Sequence, residues 1–226
     1  MGKIIIQKQT TSCPITLIGQ EAGICYGTDT SDDTKNYKRG IDCLECNHGR
    51  TLEFPDVYLV IDGYSARFVR ELYTHIGGSP TRLQASTRYI DYESNGFDYV
   101  TPKKIESNPK WEAVYKDTID KIQSNLKVLN DLGCPKEEMG MLLPLCMSTK
   151  VVAKYNLRTL IDMSHTRMCT RAYAEFREFF ADLCRELRNY SYEWEYIVEH
   201  YFKPKCELTG TCTEKFSCGR KPKKCQ

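Results

Sequence analysis

Apolar residues fall into short bursts in the first third of the chain and into long helical stripes after it. Ile4 to Ile6 predicts a short buried strand, and VYLVI at 57–61 predicts a second, closed by Asp62-Gly63 as a turn. Residues 14–48, between these strands, read as helix, loop and helix. Tyr64, Phe68 and Leu72 recur at every fourth position, the spacing of one helix face, so a helix leads up to His75. Asn108-Pro109 supplies an N-cap and a first-turn proline. Trp111, Tyr115, Ile119, Ile122, Leu126 and Leu129 then trace one stripe as far as Gly133 and Pro135, which end the helix. Ala172, Phe176, Phe179, Phe180, Leu183 and Leu187 mark a broader stripe on another long helix. The pattern predicts an α+β fold, a small antiparallel or mixed sheet packed with long helices and a helix-rich C-terminal half. One domain is expected over residues 1–203, followed by a cysteine-rich basic tail at 204–226.

Composition changes this picture mainly by exclusion. With 41% hydrophobic and 27% charged residues the chain is expected to fold. A net charge of +2 supplies no protein-wide field for nucleic acid, so anion binding must come from locally placed arginines. No stretch approaches the roughly 18 apolar residues of a membrane span, and three apolar residues near the start are too few for a secretory core. A cytoplasmic protein without membrane contact is therefore expected. Twelve cysteines in that setting argue for reduced thiols or a metal rather than a disulfide framework. Cys43-x-x-Cys46-x-His48 looks like half of a zinc site, to which Cys206, Cys212, Cys218 and Cys225 could add ligands. The tail lacks paired C-x-x-C knuckles, so free thiols are the expectation and no metal ligand is assigned. Lys215, Arg220, Lys221, Lys223 and Lys224 predict a solvated, disordered end.

Two segments carry candidate chemistry. In THIGGSPTRLQASTRYIDY, residues 74–92, an extended backbone would put Arg82, Gln84, Ser86 and Arg88 on one face. Guanidinium forks suit phosphate oxygens, and Ser hydroxyls and backbone amides add neutral donors. The alternative is an exposed edge strand with ordinary polar residues. In YNLRTLIDMSHTRMCTR, residues 155–171, the side chains of Asn156, Arg158, Asp162, His165, Arg167 and Arg171 crowd a few helical turns. Arg158 and Asp162 lie four apart and could form a surface ion pair worth a few tenths of a kcal/mol, about the size of such pairs generally. Asn156 and Arg167 need another reason.

His75, then Ser86-x-Arg88-Tyr89, then Asn156-x-Arg158 and Arg167 resemble the flavin-dependent thymidylate synthase family (ThyX), whose signature is R-H-R, seven residues, then S-x-R. EAGICYG at 21–27, His48 with Glu53, Gly63-Tyr64-Ser65 and Leu143-Pro144 resemble further family segments, so the likeness spans most of the chain. The resemblance implies a homotetramer that methylates dUMP to dTMP, with methylenetetrahydrofolate as carbon donor, NADPH as reductant and FAD as intermediary. Carried over by position, Ser86 and Arg88 would hold the nucleotide phosphate with the backbone of Ala85 to Thr87. Glu71 and Gln84 fall at further substrate-binding positions. Arg167 would hold the uracil edge and stabilise the anionic pyrimidine, the catalytic role. FAD would be held by His48, Thr74, His75, Ile76, Arg82, Gln84, Asn156, Arg158 and Asp162.

Several positions depart from the family pattern. R-H-R is Thr74-His75-Ile76 here, and the serine follows the histidine by eleven positions rather than nine. Gly77-Gly78 absorb the extra length, and Arg82 stands where it could restore one guanidinium. Glu71 replaces a glutamine, Gln84 a glutamate, Asp162 an asparagine, and Gly140 a substrate-binding arginine of some members. These changes on the flavin side open a second reading, release of a hydroxymethylated pyrimidine nucleotide. A third, of another class, is a zinc-stabilised nucleic-acid-binding protein; it leaves the ordered series from His75 to Arg167 unexplained.

Overall fold

A computed structural model describes residues 2–224. Along the chain come β1 (Lys3–Ile6), α1 (Pro14–Cys25), α2 (Asp33–Glu45), β2 (Asp56–Ser65), α3 (Ala66–Leu72) and β3 (Thr81–Gln84). Next are the short α4 (Tyr92–Asn95) and α5 (Lys103–Glu106), the long α6 (Pro109–Asp131) and α7 (Lys136–Met139). They are followed by β4 (Ser148–Asn156), α8 (Leu157–Arg167), α9 (Ala174–Tyr190), α10 (Tyr192–Tyr201) and α11 (Lys205–Thr209). The strands form a small antiparallel sheet in the order β1-β2-β4-β3, so the expected α+β class holds. The chain divides into two compact units: Met1–Lys3 with Ile61–Thr74 and Leu83–Val151, and Ile4–Val60 with His75–Arg82 and Val152–Gln226.

In the first unit the core is Phe97, Ile119, Leu126, Met139 and Met147. Asn108 caps α6 as expected, its side chain accepting from the N–H groups of Lys110 and Trp111 at 3.1 and 3.3 Å. Gly133, at φ +77°, follows the helix in the left-handed region that favours glycine. The expected stripe is only partly buried, since Ile119 and Leu126 are covered while Trp111 is 58% exposed.

The second unit is built on α9, where Phe176, Phe179, Phe180, Leu183 and Leu187 are all buried. Phe176, Phe179 and Phe180 pack with ring centroids 5.6–6.1 Å apart, within the range of favourable aromatic pairs. Helices α1 and α2 cross at two glycines: a Cβ at Gly19 would lie 1.8 Å from the Asn36 carbonyl oxygen, and one at Gly40 would lie 2.0 Å from that of Ile15. Buried Glu193 serves the start of α1, accepting from the backbone N–H groups of Ile15 and Thr16 and from the Thr16 hydroxyl. A carboxylate suits the positive end of a helix dipole.

Three local expectations are corrected. Asp62-Gly63 does not end the second strand, because β2 runs on to Ser65. Gly63 takes φ +75° and the buried positions shift from 57, 59 and 61 to 64, as an extra residue in a bulge would cause. The strand through Arg82 stops at Gln84, and Ser86 to Arg88 form a turn in which Arg88 N–H donates to Ser86 Oγ at 3.2 Å. Those alternating side chains therefore do not share one strand face. The tail, expected to be disordered, is structured over its described residues. It contains α11, Cys212 is buried, Cys212 N–H donates to the Pro222 carbonyl at 2.7 Å, and Arg220 pairs with Glu207 at 3.4 Å. Cys225 lies outside the described residues.

Candidate active site

Within the second unit, candidate residues gather around both ends of α8. Asn156 ends β4 and caps the helix, its Oδ1 accepting from Thr159 N–H at 2.9 Å. Its Nδ2 donates to the Gly78 carbonyl at 3.4 Å, and the Thr159 hydroxyl donates to the Gly77 carbonyl at 2.8 Å. The Gly77-Gly78 insertion is thus tied to the first turn of α8. Gly78 has φ +68°, and a Cβ there would meet Thr159 Oγ1 at 2.3 Å, so this position requires glycine twice over. Arg82 Nη1 donates to the His75 carbonyl at 3.1 Å and supports the same turn.

At the other end of α8, Arg167 Nε donates to His75 Nε2 at 2.8 Å. The Arg167 guanidinium lies 4.6 Å from the Phe176 ring centroid, within cation–π range. Phe176 belongs to the predicted core stripe, and hydrophobic periodicity gives no sign that it also lies beneath an arginine. Thr159 has no local sequence signal either, because its hydroxyl serves a carbonyl 82 positions upstream.

Arg158 pairs with Glu53, at Nη1–Oε1 2.7 Å, rather than with Asp162. A contact with a residue 105 positions upstream leaves no trace in helical periodicity. The Arg158 guanidinium also covers Gly49, where a Cβ would lie 3.1 Å from Cζ, next to exposed His48. Glu53 and Arg158 therefore come together, with His48 next in sequence to the glycine that Arg158 covers. Asp162 lies on the exposed side of α8. Burial lowers the pKa of His165, with Asp162 opposing the shift. His165 lines a separate cavity of about 110 Å³ with Cys169, Cys206, Cys212 and Cys218.

Within the first unit, Ala85 N–H donates to the Lys150 carbonyl at 2.8 Å, and Gln84 Nε2 donates to Thr149 Oγ1 at 3.5 Å, anchoring the approach to the Ser86–Arg88 turn. Arg88 lies 3.5 Å from Glu137, both well exposed, a weak and exchangeable pair. A Cβ on Gly140 would meet the Thr87 carbonyl oxygen at 3.5 Å, so Gly140 faces this turn. Glu71 sits on α3, and its carbonyl accepts from the Thr74 hydroxyl at 2.7 Å; Ile76, the other R-H-R replacement, is exposed.

Among the described residues no three His, Cys, Asp or Glu side chains are grouped so as to hold a metal ion. Cys43, one of the three residues of the Cys43-Cys46-His48 pattern, is buried in α2, and burial raises its thiol pKa. No helix among the described residues is long and apolar enough to cross a membrane.

The family model described as "Thymidylate synthase complementing protein" matches residues 8–190. A flavin-dependent thymidylate synthase of Geobacter sulfurreducens is 26% identical over 223 residues, covering 94% of this chain and 92% of that one. One from Thermococcus onnurineus is 28% identical over 177 residues, covering 76% and 70%. A crystal structure of Thymidylate Synthase X (ThyX) from Helicobacter pylori with FAD and dUMP superposes with a TM-score of 0.66 at 18% identity, over 88% of this chain and 100% of that one. At that identity the superposition speaks for the fold, and the family match speaks for the sequence. The chain belongs to the thymidylate synthase complementing protein family, the flavin-dependent thymidylate synthases.

Proposed function

We propose that this chain transfers a one-carbon unit to C5 of dUMP and reduces it to the methyl group of dTMP, with methylenetetrahydrofolate as donor, NADPH as reductant and FAD bound. The observation that carries the reading is Arg167, an arginine fixed on two sides by His75 and Phe176 in a chain of this family. A guanidinium hydrogen-bonded to the uracil edge favours the anionic pyrimidine, in which C5 becomes nucleophilic. Pre-placed charge of this kind is the strongest device a site without a nucleophilic side chain can use.

Ser86, Thr87 and Arg88, with the Ala85 backbone, would hold the nucleotide phosphate. The turn carries the Ser86 and Thr87 hydroxyls beside the Arg88 guanidinium, and the weak Arg88–Glu137 pair exchanges readily for a dianion. Glu71 and Gln84 remain proposed substrate contacts. The chain's donors suit FAD: Arg82, Arg158, His48 and His75 provide positive or hydrogen-bonding groups for a diphosphate and ribityl chain. Exposed Ile76 beside Gly77, where a Cβ would have open space, leaves an apolar edge for a flat ring. Thr74, Asn156 and Asp162 are the other proposed flavin-side residues, Asn156 acting through the turn it holds. The flavin, when bound, supplies the hydride and relays the one-carbon unit.

The working form would be a cytoplasmic homotetramer. In support, exposed Trp111 and Val114 border an open, mainly apolar groove of about 470 Å³ on α6, the kind of surface that a partner covers. Incubation with dUMP, methylenetetrahydrofolate, NADPH and FAD, followed by mass analysis of the nucleotide, tests the reaction. dTMP is the expected product. A hydroxymethylated nucleotide would instead support the second reading, favoured by the loss of arginine at Thr74 and Ile76, and unchanged dUMP would contradict both.

A further inference from the structure

The Arg167–His75 bond constrains both partners. A ring nitrogen that accepts a hydrogen bond carries no proton, so His75 with Nε2 as acceptor is a neutral imidazole protonated on Nδ1. Arginine has two edges that can grip a planar partner: one uses Nε with a terminal nitrogen, the other uses the two terminal nitrogens. The Nε edge is engaged by His75, which fixes the roll of the guanidinium about its own side chain.

Phe176 sets the plane. The same ring that lies 4.6 Å from the Arg167 guanidinium meets the His75 ring edge-on, at 5.6 Å between centroids and 69° between planes. Phe176 is itself fully buried and packed against both Phe179 and Phe180. A long side chain with many accessible rotamers is thus held in one orientation.

His75 is held in turn by the segment that distinguishes this chain. Arg82 bonds its carbonyl, and Thr159 and Asn156 bond the carbonyls of Gly77 and Gly78. The two-residue insertion after the motif histidine becomes a tether between that histidine and the start of α8.

We propose that His75 is a positioning residue for Arg167: with the Phe176 ring it orients the guanidinium toward the pyrimidine, and the Gly77-Gly78 turn keeps His75 in place. The inference rests on Arg167 as the pyrimidine contact, and one set of variants separates the two claims. With FAD, folate and NADPH saturating, kcat and KM for dUMP are measured for wild type, Arg167→Ala, His75→Ala, His75→Gln, Gly78→Ala and the double variant His75→Ala/Arg167→Ala.

Loss of a charge-stabilising group makes Arg167→Ala slower in kcat by roughly a hundredfold. Loss of its support makes His75→Ala slower by about tenfold, the size of an outer-shell effect. Gln, whose amide oxygen can accept from Nε, recovers part of that loss, and Gly78→Ala behaves like His75→Ala. The double variant is no slower than Arg167→Ala alone, because His75 has nothing left to position. Multiplying losses in the double variant would overturn the proposal while leaving the Arg167 reading intact. A wild-type kcat and KM for Arg167→Ala would overturn that reading, and the proposal with it.

Discussion

Asn156 serves two elements with one amide, capping α8 through Oδ1 and tying the Gly78 carbonyl through Nδ2. Asparagine is a good N-cap residue by type, and that much is legible in sequence, although the sequence reading places Asn156 only among the flavin-side residues. Its reach to a residue 78 positions away was not legible, since periodicity reports neighbours one or two turns apart and nothing farther. The same limit hid the Arg158–Glu53 pair and the seat of Arg167. Single residues also set thiol chemistry. The Thr170 hydroxyl, the Arg220 backbone and the Arg220 charge lower the pKa of exposed Cys218, whereas burial pushes Cys184 to about 11. The thiolate is the nucleophile, so a lowered pKa means more reactive sulfur at neutral pH and a labelling rate that rises from lower pH. Timed iodoacetamide labelling with peptide mass analysis should find Cys218 modified early and Cys184 untouched in the folded protein. Labelling of Cys184 ahead of Cys218 would contradict this.

At the level of elements, the long helices were legible and the short extended segments were not. Helix α6 announces itself through cap, proline, stripe and stop, all written within its own length. Strand β3 ends at Gln84 although the polar alternation continues, because Ser86 Oγ takes up the Arg88 N–H and closes a turn that competes with further pairing. Gly63 reads as punctuation in sequence, yet here it absorbs a shift of phase inside β2. The crossing of α1 and α2 depends on Gly19 and Gly40 in a way that composition cannot reveal, since both also pass as ordinary weak points in a helix. Gly19→Ala would force its Cβ into the Asn36 carbonyl, and overpacking of that kind costs about 1–3 kcal/mol. A lowered thermal midpoint with native-like far-UV circular dichroism is the expected result. An unchanged midpoint would mean that the two helices separate without cost.

For the whole molecule, fold class and family were legible because they rest on residue types spread over most of the chain: the helical stripes, the His75 to Arg167 series and the Ser86-x-Arg88 turn. The order of the tail was not legible. Its basic composition speaks for solvation, while the interactions that organise it are backbone pairing between Cys212 and the strand-like stretch around Lys223 and the Arg220–Glu207 pair. Neither its charge count nor its cysteine spacing encodes these. The claim that unites the readings is that this chain uses a flavin to reduce a transferred carbon, even though both arginines of the family's R-H-R triplet are replaced. The most direct measurement is the absorption spectrum of the purified protein supplied with FAD, before and after anaerobic addition of NADPH. The account predicts a yellow protein whose oxidised-flavin bands bleach on reduction; a colourless protein that cannot be reconstituted with FAD would contradict it.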